Sequence, residues 1–146
     1  MLINTPRSAG VIGTVQPGKT IDLGSIHITP GVTLQNWATI TVTVLDGTDF
    51  KTAKRLLITA TGYTENSGVH WKNAEKNSLG WDWGKAPSRV EGVPAAINLP
   101  LTGKFKAWAL DERGGRKTDV PLKNENGGLT IELSPEHRTL WWEIAL

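Results

Sequence analysis

Three tryptophans, Trp71, Trp81 and Trp83, stand in residues 64–92 among Asn, Ser, Gly, Lys and Glu, with almost nothing else nearby that could fill a core. Each is a broad apolar ring in a hydrogen-bonding, turn-forming context. That suits a ligand that is amphipathic in the same way, and a pyranose sugar has apolar C–H faces rimmed by hydroxyls. Stacking on indole takes apolar area out of water, while neighbouring amides and carboxylates replace the lost hydroxyl–water bonds. The polar groups best placed to do so are Glu65, Asn66, Asn73, Asp82 and Glu91, with Lys76 and Asn77 as further donors. If Trp81-Asp82-Trp83 is extended, its two rings project from one face about 6–7 Å apart, at about 3.3 Å per residue, in register with adjacent sugars. The structural alternative is a ring folded back as a lid over the core, with Asn and Ser bonded to their own backbone.

Other chemistries find less support. Glycoside hydrolysis needs two carboxylates across a cleft, which Glu65, Asp82 and Glu91 could in principle supply, so a small glycosidase is the weakest alternative and no enzyme is expected. The histidines His27, His70 and His137 show no HxH or HExxH spacing, and there is no GxSxG elbow or phosphate-cradling glycine loop. Without cysteine there is no thiol nucleophile, disulfide or zinc–thiolate site. No cofactor is expected; oxygen ligands in the tryptophan segment would also suit a calcium ion that stiffens it, although no EF-hand-like spacing occurs.

The 16 basic and 14 acidic residues are interspersed and leave a net charge of +2, a poor basis for binding nucleic acid. No apolar run approaches the roughly 20 residues of a membrane span, so no membrane partner is expected. The start, MLINTPRSAGVIG, lacks a secretion-signal pattern, and LINTPR reads like the interior of a longer polypeptide. The expectation is one domain, residues 1–146, excised from a larger secreted enzyme whose signal lies elsewhere.

The elements that must position these residues are strands. Period-two segments rich in Val, Ile and Thr predict strands at 10–15, 19–23, 25–29, 37–45, 55–63, 89–93, 95–99, 104–110, 129–133 and 139–145. In ATITVTVLD, Ile40, Val42 and Val44 share one face and Thr39, Thr41 and Thr43 the other. Along the last strand Leu140, Trp142 and Ile144 face the core, leaving Trp141 and Glu143 outside. Trp108 and Trp141 thus offer a second, flatter sugar platform, or rings covered by neighbouring loops. Turns at 16–18, 30–31, 46–47, 114–115 and 126–128 separate the strands, and 64–88 is one long connection of the kind that carries function. Many short strands with such turns predict an all-β antiparallel sandwich.

Residues 44–93 contain a run of short motifs: VLDG (44–47), KRLLITATG (54–62), ENSG (65–68), HWKN (70–73), WGKAP (83–87) and RVEGV (89–93). NTPR (4–7), a late hairpin AWALDERGGRKTDVPL and a closing LWWEI (140–144) extend the pattern over nearly the whole chain. This series resembles the accessory β-sandwich domain that stands beside catalytic domains in bacterial glycoside hydrolases of the cellulase and β-galactosidase-like type. The resemblance implies a jelly-roll-like sandwich and a carbohydrate-binding module for cellulose, β-glucan or xyloglucan, its partners being polysaccharide or oligosaccharide and a linked catalytic domain. It equally allows a purely structural domain packed on its enzyme. Trp81 beside Trp83, and Trp141-Trp142 where the pattern has Trp-Tyr, depart from it.

Overall fold

The computed structural model describes residues 1–146. Period-two segments leave backbone groups that only a neighbouring strand can satisfy, and all the ladders formed are antiparallel. One sheet runs in the order β1 (Leu2–Asn4), β2 (Ser8–Thr14), β5 (Trp37–Asp46), β6 (Arg55–Thr61), β14 (Trp141–Ala145), β10 (Lys106–Leu110) and β11 (Arg116–Val120). The other runs β12 (Leu122–Glu125), β13 (Gly128–Leu133), β9 (Ala95–Leu99), β4 (His27–Pro30) and β3 (Ile21–Asp22). A separate ribbon pairs β7 (Thr64–Ser67) with β8 (Lys85–Val90). The chain passes repeatedly from one sheet to the other, which lets each cover the other's apolar face.

The fold is therefore an all-β antiparallel sandwich. Ile40, Val42, Val44, Leu56, Ile58, Trp142 and Ile144 from the seven-stranded sheet join Ile28, Ile97, Leu99 and Ile131 from the five-stranded one in a single buried cluster. As expected, the β5 threonines face outward and the β5 aliphatics inward. Trp142 is the largest fully buried side chain, and its Nε1–H donates to His137 Nδ1 at 3.1 Å, which makes that histidine structural. His137 lies in a one-turn 3₁₀ helix, Pro135–His137, capped by Ser134.

Strand boundaries differ where the pattern is weak. β1, β7, β11 and β12 carry few buried residues and give no period-two signal; pairing at a sheet edge or ribbon forms them instead. β11 does complete the hairpin that the resemblance places there. The expected strand at 89–93 is β8, Lys85–Val90, because Thr64 pairs with Val90 and pulls the ribbon back toward the loop.

Glu143 faces outward yet is only 3 % exposed. Its Oε2 accepts from Arg116 Nε at 2.8 Å and its Oε1 from Arg55 Nε, two charge-assisted bonds that compensate the desolvated carboxylate. Both bonds hold its pKa below the usual carboxylate range, Arg116 contributing most, against the opposing effect of burial. The Arg116 guanidinium also lies 3.6 Å from the Trp108 ring centroid, so an arginine on the next strand covers a face of Trp108.

Candidate functional site

Between β7 and β8 the chain makes an excursion, residues 68–84, that is tied at its root. Asn66 Nδ2 donates to the Trp83 carbonyl at 3.0 Å, its Oδ1 accepts from Ser88 Oγ at 2.6 Å, and Ser67 Oγ donates to the Pro87 carbonyl at 2.7 Å. Gly84 has φ of 66°, and a Cβ there would meet Ser67 O at 2.5 Å and Val69 N at 2.9 Å, so only glycine fits. Further out, His70 Nδ1 bonds Asp82 Oδ2 at 2.9 Å and the Lys72 N–H donates to Ser78 O at 2.9 Å. Asn73 Nδ2 donates to Asn77 Oδ1 at 2.6 Å, and the Asn77 N–H returns to Asn73 Oδ1 at 3.3 Å.

This scaffold leaves two rings bare. Trp81 is 95 % exposed and Trp83 61 %. They do not lie on an extended segment, however. The Asp82 N–H donates to Leu79 O at 3.1 Å, closing a tight turn with Gly80 at φ of 59°, and left-handed Gly84 follows. The expected 6–7 Å spacing on one strand face therefore does not apply, because turn and glycine φ values break the period-two alternation on which it rests.

Trp71 differs again. It is half-buried, with its Nε1 enclosed beside Tyr63 and Glu65 but short of ordinary hydrogen-bond geometry. It packs the root of the loop and is not a free platform. Tyr63 Oη donates to Glu65 Oε2 at 2.8 Å, and Arg89 Nη2 is 3.7 Å from Oε1. The Tyr63 hydroxyl chiefly, helped by the Trp71 N–H and the Lys76 and Arg89 charges, lowers the Glu65 pKa. Burial first, and then the Glu65 carboxylate, raises that of Tyr63. Lys76 Nζ sits 5.0 Å from the Tyr63 ring centroid.

The polar candidates are thus mostly engaged within the protein. Asn66 and Asn73 hold the loop together, and Glu91 accepts backbone N–H bonds from Leu34 (2.7 Å) and Tyr63 (3.0 Å). Asp82 is exposed beside His70, and Glu65 opens onto a cleft of about 420 Å³ with Tyr63, Leu34, Arg89, Val90 and Pro135. Sequence reasoning passed over Tyr63 and Arg89, and also Leu34, which is 72 % exposed in a stretch without periodicity. Trp141, 38 % exposed, stands on β14 opposite Thr59 of β6, on the outer face of the seven-stranded sheet. No three His, Asp or Glu side chains converge, so calcium here would have to rely on amide and backbone oxygens.

No protein-family model matches the chain, and neither does any curated protein or solved structure.

Proposed function

We propose that the domain is a non-catalytic carbohydrate-binding module, with Trp81 and Trp83 as stacking platforms for a cell-wall β-glucan and Asp82 and Glu65 as hydroxyl partners. The jelly-roll-like winding, a linked glycoside hydrolase catalytic domain and an extracellular location belong to this same reading, through the resemblance. One observation carries it: two tryptophans are held in water on a loop whose backbone is pinned by side chains. Exposing that much apolar area costs solvation free energy that a ligand face would recover. Glu91, one of the three carboxylates that a glycosidase would draw on, accepts a backbone N–H bond on each oxygen and so serves to join the Leu34 and Tyr63 segments. The test is native electrophoresis of the domain through gels containing soluble β-glucan, xyloglucan, xylan or mannan, with a pull-down on insoluble cellulose. Retardation by one glycan class supports the reading; free migration in all of them with no pull-down refutes it.

A second reading has its own observation. Leu34 and Val90, 72 % and 40 % exposed, line the cleft beside Glu65, and Val32 near Leu34 is 74 % exposed. Such a patch also suits packing against a neighbouring catalytic domain. It predicts concentration-dependent self-association of the isolated domain, which analytical ultracentrifugation reads directly.

A further inference from the structure

The five-stranded sheet turns a polar face to solvent. Its cross-strand registers set Asp22, His27, Asn98, Thr130 and Lys123 in one outward row, with Thr29 and Ala96 in the next. The central positions are short, Ala96 and Asn98 on β9 and Thr130 on β13, while His27, Glu125 and Asn126 rise around them. The contrast in side-chain length sinks a depression of about 380 Å³ into the middle of the sheet, within the size range of small-ligand sites. Through His27, Asn98 and Asn126 it continues past Gly24, Ser25 and Lys51, so an elongated ligand has room to run on.

Its hydrogen-bonding groups are held in place. Asn98 Nδ2 donates to both the Glu125 carbonyl and Thr130 Oγ1, each at 3.0 Å. Both amide hydrogens are thereby engaged, Oδ1 is left as a fixed acceptor, and the Thr130 hydroxyl, itself an acceptor here, keeps its hydrogen to donate. Thr20 and Thr29 share one hydroxyl–hydroxyl bond at 2.8 Å, which leaves one hydrogen of the pair free. Asn126, at φ of 53° and followed by Gly127 at 75°, places its amide on the rim from a tight hairpin turn. No Lys or Arg lines the central depression, and Glu125 is its one carboxylate. Acceptors and donors at fixed spacing, with no Lys or Arg in the central lining and Lys51 only on its continuation, suit a neutral polyol better than an anion.

We propose that this depression is a second sugar site, taking a neutral oligosaccharide by hydrogen bonding, independent of the tryptophan loop. It stands whether or not the loop binds. The test is titration of the ¹⁵N-labelled W81A/W83A domain with cellohexaose, xylohexaose and mannohexaose, followed by amide chemical shifts. Saturable shifts at the Ala96 and Thr130 backbone amides and the Asn98 side-chain amide, from at least one sugar, are expected. Ala96→Tyr, which fills the depression from an outward position, should weaken them by about tenfold or more. Asn126→Gly, which keeps the positive φ and removes only the rim amide, should weaken them less. Absence of saturable shifts with all three sugars overturns the proposal, as does inorganic phosphate moving the same amides equally well. Shifts in the unsubstituted domain confined to residues 68–84 also overturn it while leaving the loop reading intact.

Discussion

Removing both bare rings should abolish the glycan retention that the loop provides without unfolding the domain, and the magnitudes follow from exposure. A tryptophan carries about 250 Å² of side-chain surface. Trp81, at 95 % exposed, keeps nearly all of it in water, and Trp83, at 61 %, keeps about 150 Å². One sugar on one indole face removes about 60–80 Å² of ring, worth about 1.5–2 kcal/mol at about 25 cal/mol/Å². Each single replacement by Ala should thus raise the Kd of the loop roughly tenfold to thirtyfold, and the pair should cut retardation to whatever the sheet depression alone supports. Trp81→Ala gives up almost no packing, so its stability should change by less than about 0.5 kcal/mol. Trp83→Ala loses about 100 Å² of burial, at most about 2.5 kcal/mol and less against a compact unfolded chain. The assay pairs affinity electrophoresis on the retarding glycan with urea unfolding of each variant. Undiminished retardation of a folded W81A/W83A domain would refute the assignment of these rings.

Other expectations concern the frame. Glu143→Gln should cost about 1–3 kcal/mol in urea unfolding near neutral pH, because two half-exposed arginines lose their shared charge but can rehydrate. Since the folded-state pKa of Glu143 is depressed, its stabilisation is present above the unfolded value of about 4.5 and fades as pH falls through the folded pKa; Glu143→Gln should flatten that acid limb. Trp142→Ala should destabilise the domain by about 3–5 kcal/mol through a core cavity, with no change in glycan preference among molecules that remain folded. Gly84→Ala, at φ of 66° against Ser67 O, should raise amide exchange in residues 68–84 and weaken glycan binding, while exchange in β5 and β6 stays unchanged.

How much was legible in the sequence divides along a physical line. β5 and β14 were legible because one face of each is buried, and burial imposes alternation: Ile40, Val42 and Val44 inward, Trp142 and Ile144 inward, Trp141 outward. β7, β11 and β12 were not, because their pairing is backbone to backbone and asks little of the side chains. In the loop, residue types pointed to exposed rings, but their relative placement depended on the φ of Gly80 and Gly84, which composition does not encode. Trp71 looked equivalent to Trp81 and Trp83; what separates them is contact with Tyr63 and Glu65 across the ribbon. The sheet depression was beyond reach, since Thr29, Ala96, Asn98 and Thr130 become neighbours only once strand order is known.

The two candidate surfaces place their ordering cost in the same step. The loop is held by the His70–Asp82, Asn66–Trp83 and Asn73–Asn77 bonds, and the depression by Asn98 with Glu125 and Thr130, so both are shaped when the protein folds. A surface that has lost its freedom in folding loses less of it on binding, which matters most for sugars, whose contacts are individually weak. On the proposed reading, Asn66 and Asn73, expected to meet ligand, contribute instead by bonding protein. Asn66 and Asn73 fix the backbone from which Trp81 and Trp83 project, and Asn98 fixes the Thr130 hydroxyl beside it. In each case the side chains that would meet a ligand stand beside groups fixed by hydrogen bonds, so on the proposed reading specificity would depend on that fixed frame as much as on the groups that face solvent.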